Sequence, residues 1–116
     1  MNNDKILSLM GLAKKAGKLK GGEYCVETEL KKGRAKLVIV AGDASDNTRK
    51  GYSDMCSFRK VPLAFYSNKE DMGRCIGSSE RAAVVIIAEG FANAVMKEFS
   101  LRDIEIKFQS DSEVVE

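Results

Sequence analysis

A chain of 116 residues with 44% hydrophobic and 31% charged side chains falls in the range of a folded domain, long enough to bury about two-thirds of the surface its unfolded form exposes. No apolar stretch reaches the roughly 20 residues of a membrane-spanning helix, and with no histidine and no C-x-x-C pairing among Cys25, Cys56 and Cys75, the chain lacks the ingredients of a disulfide framework, a zinc knuckle or His-based nucleophilic catalysis. The net charge of +2 conceals a polarity: thirteen Lys/Arg stand against seven Asp/Glu in residues 1–60, and six against ten in residues 61–116, so the first half invites a polyanionic partner.

Ile6, Leu9, Met10, Ala13 and Ala16 recur at helical spacing behind Asn3 or Asp4 as N-cap, with Lys14 and Lys15 in the last turn and Gly17 as the stop. The Gly21-Gly22 pair punctuates, leaving room for a very short strand at residues 18–20. Residues 23–32 then read as a second helix with Val26 and Leu30 inward and Gly33 at its end. Residues 37–41 are a continuous run of mostly β-branched side chains, the pattern of a central strand covered on both faces.

Ser45 or Asp46 caps a third helix, with Thr48, Tyr52, Met55, Cys56 and Arg59 on one stripe, and Pro62 opens a strand over residues 63–66. Asn68 caps a fourth helix that runs to Gly77. Residues 82–88 repeat the buried-strand signature, and Phe91, Val95, Met96 and Phe99 mark a fifth helix. Ile104, Ile106 and Phe108 alternate with charged residues, which fits either a short edge strand or an extended tail.

This alternation specifies an α/β domain, a three-layer α/β/α sandwich with a central sheet of about four strands. The expected organisation is a single unit over residues 1–108 followed by a disordered acidic tail over 109–116. The N-terminal residues lead directly into a charged helical pattern with no secretory signal, so a cytoplasmic location is expected.

Gly17-Lys18-Leu19-Lys20-Gly21-Gly22, followed by Gly33-Arg34-Ala35-Lys36-Leu37-Val38-Ile39-Val40-Ala41, resembles the ribosomal L7Ae/L30e superfamily of RNA-binding proteins. Val61-Pro62, the run Lys69-Glu70-Asp71-Met72-Gly73-Arg74-Cys75-Ile76-Gly77 and the strand after it agree in order and spacing, so the likeness spans about residues 5–99. The loops Asp43-Ala44-Ser45-Asp46-Asn47-Thr48 and Ser79-Glu80-Arg81 are most similar to those of its small bacterial YlxQ-type members.

The resemblance implies a non-enzymatic protein that binds kink-turn RNA, a sharply bent duplex with tandem sheared G·A pairs, or another structured RNA of the ribosome or a ribonucleoprotein. No cofactor, metal, membrane or small-molecule substrate is expected. The implied contact residues are Gly21, Gly22, Glu23 and Tyr24 at the start of the second helix, with Ser79 and Arg81 in the loop before the last central strand. Lys14, Lys15, Lys18, Lys20, Arg34 and Lys36 are the candidate phosphate partners, Lys20 and Lys36 being expected to flank the glycine-rich turn.

The superfamily's Gly-x-Asn-Glu signature falls on Gly22-Glu23-Tyr24-Cys25, so its two polar readers are replaced, and Thr28 stands where a lysine is common. A competing reading is therefore a protein-interaction module of the same fold that has lost specific RNA recognition. A third, weaker one is an enzyme using Asp43 with magnesium, against which helix capping by Asp43 is the simpler expectation.

Overall fold

The computed structural model describes residues 4–109. In chain order the elements are α1 (Lys5–Lys15), β1 (Leu19–Gly21), α2 (Glu23–Lys31), β2 (Leu37–Val40), α3 (Asp46–Arg59), β3 (Leu63–Phe65), α4 (Lys69–Cys75), β4 (Ala83–Ile86) and α5 (Glu89–Leu101). The sequence boundaries hold to within one or two residues at most ends. The caps are the ones the sequence offers: Asp4 accepts from the N–H groups of Ile6 and Leu7, Ser45 from Thr48, and Asn68 from Asp71.

The four strands form one mixed sheet in the order β1-β4-β2-β3. Leu19 lies opposite Ile86, and Ile86 opposite Leu37, both pairings antiparallel, whereas β2 and β3 run parallel with Val38 opposite Leu63. All four residues of β2 and of β4 are buried, because helices cover both faces. One face packs Ile6, Met10, Met72, Val95 and Phe99 from α1, α4 and α5. The other packs Val26 and Leu30 of α2 against Tyr52 and Cys56 of α3, and burial pushes the Cys56 thiol up to about 12.

The alternating segment after α5 forms no strand in the described region. Residues 104–106 have no regular structure and Lys107 alone bridges to Leu63, with N–O distances of 2.9 and 2.7 Å, before Phe108 turns away at a φ of 62°. The acidic tail lies, past Gln109, outside the described residues.

Sheet order has a direct electrostatic consequence. β1, β2 and β3 all start at the same end of the sheet, and α1, α2 and α3 each end a few residues before one of those starts. Cations at helix C-termini complement the helix dipole. Here Lys14-Lys15, Lys31-Lys32 and Arg59-Lys60 therefore gather at one end of the molecule, the basic end. The opposite end carries the start of α2 and the approach to β4.

Candidate nucleic-acid interface

At the end opposite the lysines, the chain leaves β1 through Gly21-Gly22 and enters α2. Gly22 sits at φ 103°, ψ 152°, a conformation that L side chains rarely adopt, and it caps α2 with no side-chain hydrogen bond. Its N–H donates to the Ala83 carbonyl at 3.0 Å, which ties the turn to the first residue of β4. The loop leading into β4 brings Arg81 across this turn: a Cβ on Gly21 would stand 3.5 Å from Arg81 Cδ and 2.7 Å from Ile76 Cδ1. Gly22 is thus required by its backbone angle, whereas a Cβ on Gly21 would press on the movable end of the Ile76 side chain.

The Arg81 guanidinium is steadied by its own loop. Nη1 donates to the Glu80 carbonyl at 2.9 Å and to Ser79 Oγ at 3.1 Å. A groove of about 340 Å³ results between turn and loop, lined by Gly21, Gly22, Glu23, Tyr24, Glu80 and Arg81 among others. Tyr24, in the first turn of α2, is 82% exposed at its rim, where its ring is free to stack. The site offers backbone donors at a helix start, one guanidinium and one exposed aromatic, but also two carboxylates, Glu23 and Glu80.

The position of this loop depends on a glycine inside the fourth helix, which the sequence shows only as part of the run from Lys69 to Gly77. Gly73 lies in α4, and a Cβ there would come 1.9 Å from the Ser79 carbonyl oxygen and 2.5 Å from its carbonyl carbon. The Ser78 N–H donates to Gly73 O at 2.8 Å and the Arg81 N–H to Lys69 O at 3.1 Å, so the loop is strapped directly onto α4. A glycine inside a helix costs about 1 kcal/mol relative to alanine, and that local misfit was the available signal of a close backbone approach.

The remaining candidates divide. Gly21, Gly22, Glu23, Tyr24, Ser79 and Arg81 meet at the glycine turn. Lys36, expected to flank that turn, lies at the other end of the sheet: it precedes Leu37, which is level with Leu19, and its N–H donates to Ile86 O at 2.8 Å. Lys18, whose carbonyl accepts from Ile87, sits at the same basic end, as do Lys14 and Lys15. The spacing of a few strand residues puts about 10 Å between the two groups.

Lys20 and Arg34 have a partner that the sequence pattern hid. Glu29 is on the inward stripe of α2 with Val26 and Leu30, only 2% exposed. Arg34 holds it bidentately, Nε at 2.7 Å and Nη2 at 3.0 Å, and Lys20 Nζ approaches at 3.0 Å. The Arg34 hydrogen bond, with help from Lys20 and against the opposing effect of burial, holds the Glu29 carboxyl down at about 2. Two cations and one carboxylate leave a net positive charge fixed in place beside the sheet.

Asp43 is also accounted for locally, since its Oδ1 accepts from the Lys69 N–H at 2.9 Å and so supports the start of α4. Among the described residues, no three carboxylate or cysteine side chains gather into a group that could hold a metal ion. No helix among them is long and apolar enough to cross a membrane.

A three-layer sandwich with a mixed four-stranded sheet and a polar groove at a glycine-capped helix start defines the class of protein. The chain belongs to the ribosomal protein L7Ae/L30e/S12e/Gadd45 family, whose sequence model matches residues 4–96. It is 41% identical over 88 residues to the RNA-binding protein YlxQ of Bacillus subtilis, an alignment covering 76% of this chain and 88% of that protein. It is also 32% identical over 89 residues to the large ribosomal subunit protein eL8 of Thermoplasma volcanium, covering 76% and 74% of the two chains.

Among solved structures, a protein of unknown function from Bacillus halodurans superposes with a TM-score of 0.79 at 33% identity, covering 83% of this chain and 97% of that one. The Giardia lamblia 15.5kD RNA binding protein shares the fold, with a TM-score of 0.69 at 23% identity over 88% and 90% of the chains.

Proposed function

We propose that this chain is a non-enzymatic RNA-binding protein that docks on a bent, structured RNA, of the kink-turn kind, in the ribosome or another ribonucleoprotein. The observation that carries the reading is the assembly at the glycine turn. Arg81 lies along Gly21-Gly22, beside a helix start without a side-chain cap and an exposed Tyr24. Backbone N–H groups and the positive end of the α2 dipole suit a phosphate, and the Tyr24 ring suits an unstacked base. Shape carries recognition here, since a kinked duplex opens the groove that straight A-form RNA keeps closed. The likeness to the RNA-binding protein YlxQ and to the ribosomal protein eL8 supports the same reading.

The test is binding to a kink-turn RNA, to the same RNA with its G·A pairs converted to Watson–Crick pairs, and to an ordinary duplex, each at two salt concentrations. Preference for the intact kink-turn is expected, with salt dependence in all three. Equal binding to all three would remove the kink-turn part of the proposal. No binding to any of them would overturn it in favour of a protein-interaction module.

A further inference from the structure

The cations that the strand register separates from the glycine turn form a surface of their own. Lys18 and Lys36 stand at the starts of β1 and β2, two strand spacings or about 10 Å apart, and strand alternation puts both on the sheet face that α2 covers. Lys60 closes α3 at a φ of 58° just before β3. All three are exposed. Arg34, held on buried Glu29, lies among them, and the paired lysines ending α1 and α2 extend the surface on either side.

Among the described residues the carboxylates near this end are countered or turned aside: Glu29 is neutralised by its two partners, Asp54, which shares a groove with Lys31 and Arg59, pairs with Lys50, and Glu89 opens α5 on the other face of the sheet. Glu23 opens α2 at the glycine turn, and Glu27 lies one turn further along the same helix.

We propose that this basic end is a second, sequence-independent contact for RNA backbone, engaged by one arm of the same RNA whose bend sits at the glycine turn. The inference rests on the proposed function and adds the path of the RNA to it. Helix α2 is the ruler. Its nine residues span about 13 Å, so an arm that leaves Gly22 along α2 passes Glu23 and Glu27 without net attraction and reaches Arg34 and Lys36 beyond its far end. A ladder of positive strand starts suits a line of phosphates, contacts that fix position without carrying sequence information.

The experiment compares wild type with the combined variant Lys18→Gln, Lys36→Gln, Lys60→Gln and, separately, with Arg81→Gln. The three lysines are exposed, so the combined variant is expected to melt like wild type, and a melt confirms it. Binding is measured against salt for a kink-turn RNA with a long flanking arm, the same RNA with that arm trimmed, and a straight duplex. The triple variant should lower the slope of log K against log salt by about two to three on the long-armed RNA. It should lose at least about tenfold in affinity for the straight duplex and keep its preference for kinked over straight RNA. Trimming the arm from the wild-type complex should reproduce the loss of slope, whereas Arg81→Gln should reduce the preference and change the slope by about one.

An unchanged slope in the triple variant, or no effect of arm length on wild type, would overturn the proposal while leaving recognition at the glycine turn intact. Loss of kink preference in wild type itself would strike the reading beneath it. Capture of the protein by phosphatidylserine vesicles but by none of the RNAs would assign the surface to a membrane instead.

Discussion

Replacing Gly73 by alanine should damage the protein out of proportion to one methyl group. The new Cβ would sit 1.9 Å from the Ser79 carbonyl oxygen, and ordinary contact begins near 3.4 Å, so the loop or α4 must move by about 1.5 Å. The obstacle is backbone on both sides, which no side-chain rotation relieves. A shift of that size also breaks or stretches the Ser78-to-Gly73 and Arg81-to-Lys69 hydrogen bonds. Overpacking costs about 1–3 kcal/mol and each lost hydrogen bond about 1 kcal/mol, offset by about 1 kcal/mol from alanine's better helix propensity.

The net cost is about 2–4 kcal/mol, which for a domain of this size lowers the melting temperature by roughly 10–25 °C. Thermal melts followed by circular dichroism measure it directly. Gly51→Ala in α3 is the matched control: that Cβ meets nothing within 4 Å, so this variant should gain up to about 1 kcal/mol. Arg81 moves with the loop, so RNA affinity should fall in Gly73→Ala and not in Gly51→Ala. A Gly73→Ala protein as stable as wild type would refute the strapped-loop argument, because it would mean that the loop relaxes at no cost.

Two further substitutions probe the helix α2 side of the sheet. Glu29 is held at about 2 in the fold against an ordinary 4.5, so its ionised form contributes stability that is present above about pH 4.5 and is lost as the pH falls toward 2. Because Lys20 and Arg34 are roughly half exposed, the contribution is discounted to on the order of 2 kcal/mol. Urea midpoints should drop less between pH 7 and pH 3 in Glu29→Gln than in wild type, and an equal drop in both would rule the coupling out. Tyr52→Phe removes a buried hydroxyl that has no hydrogen-bond partner among the described residues, so urea unfolding should show no change or a gain of up to about 1 kcal/mol. A loss of that size would reveal a partner for the hydroxyl.

Much of the architecture could be read locally. Asp4, Ser45 and Asn68 announce helix starts because capping depends on neighbours two or three residues away, and β2 and β4 stand out because a strand covered on both faces has no polar positions. Sheet order is different in kind. Placing β4 between β1 and β2 depends on pairings across some forty to seventy residues, and the common direction it gives β1 and β2 sends Lys36 away from the turn it was expected to flank.

Glu29 was illegible for a related reason. A carboxylate on an apolar stripe reads as an exposed helix residue until Lys20, from an earlier strand, and Arg34, from the following loop, are seen to converge on it. The core of the candidate site was visible as Gly21-Gly22 and Arg81, but their contact was not, because it is made through α4 and the close approach at Gly73.

The place of β4 in the sheet also governs when the molecule can form during synthesis. Both of its neighbours, β1 and β2, leave the ribosome long before it does, and each has its longest shared edge with a strand that does not yet exist. Until about residue 86 has emerged, only the parallel β2–β3 pair and the isolated helices are available to a growing chain, and the apolar side chains of Val38, Ile39 and Val40 have no antiparallel cover. Completion of the sheet is therefore a late event, since its two antiparallel seams both wait for β4. A chain halted after α4 would present an open sheet edge to chaperones and to other nascent chains.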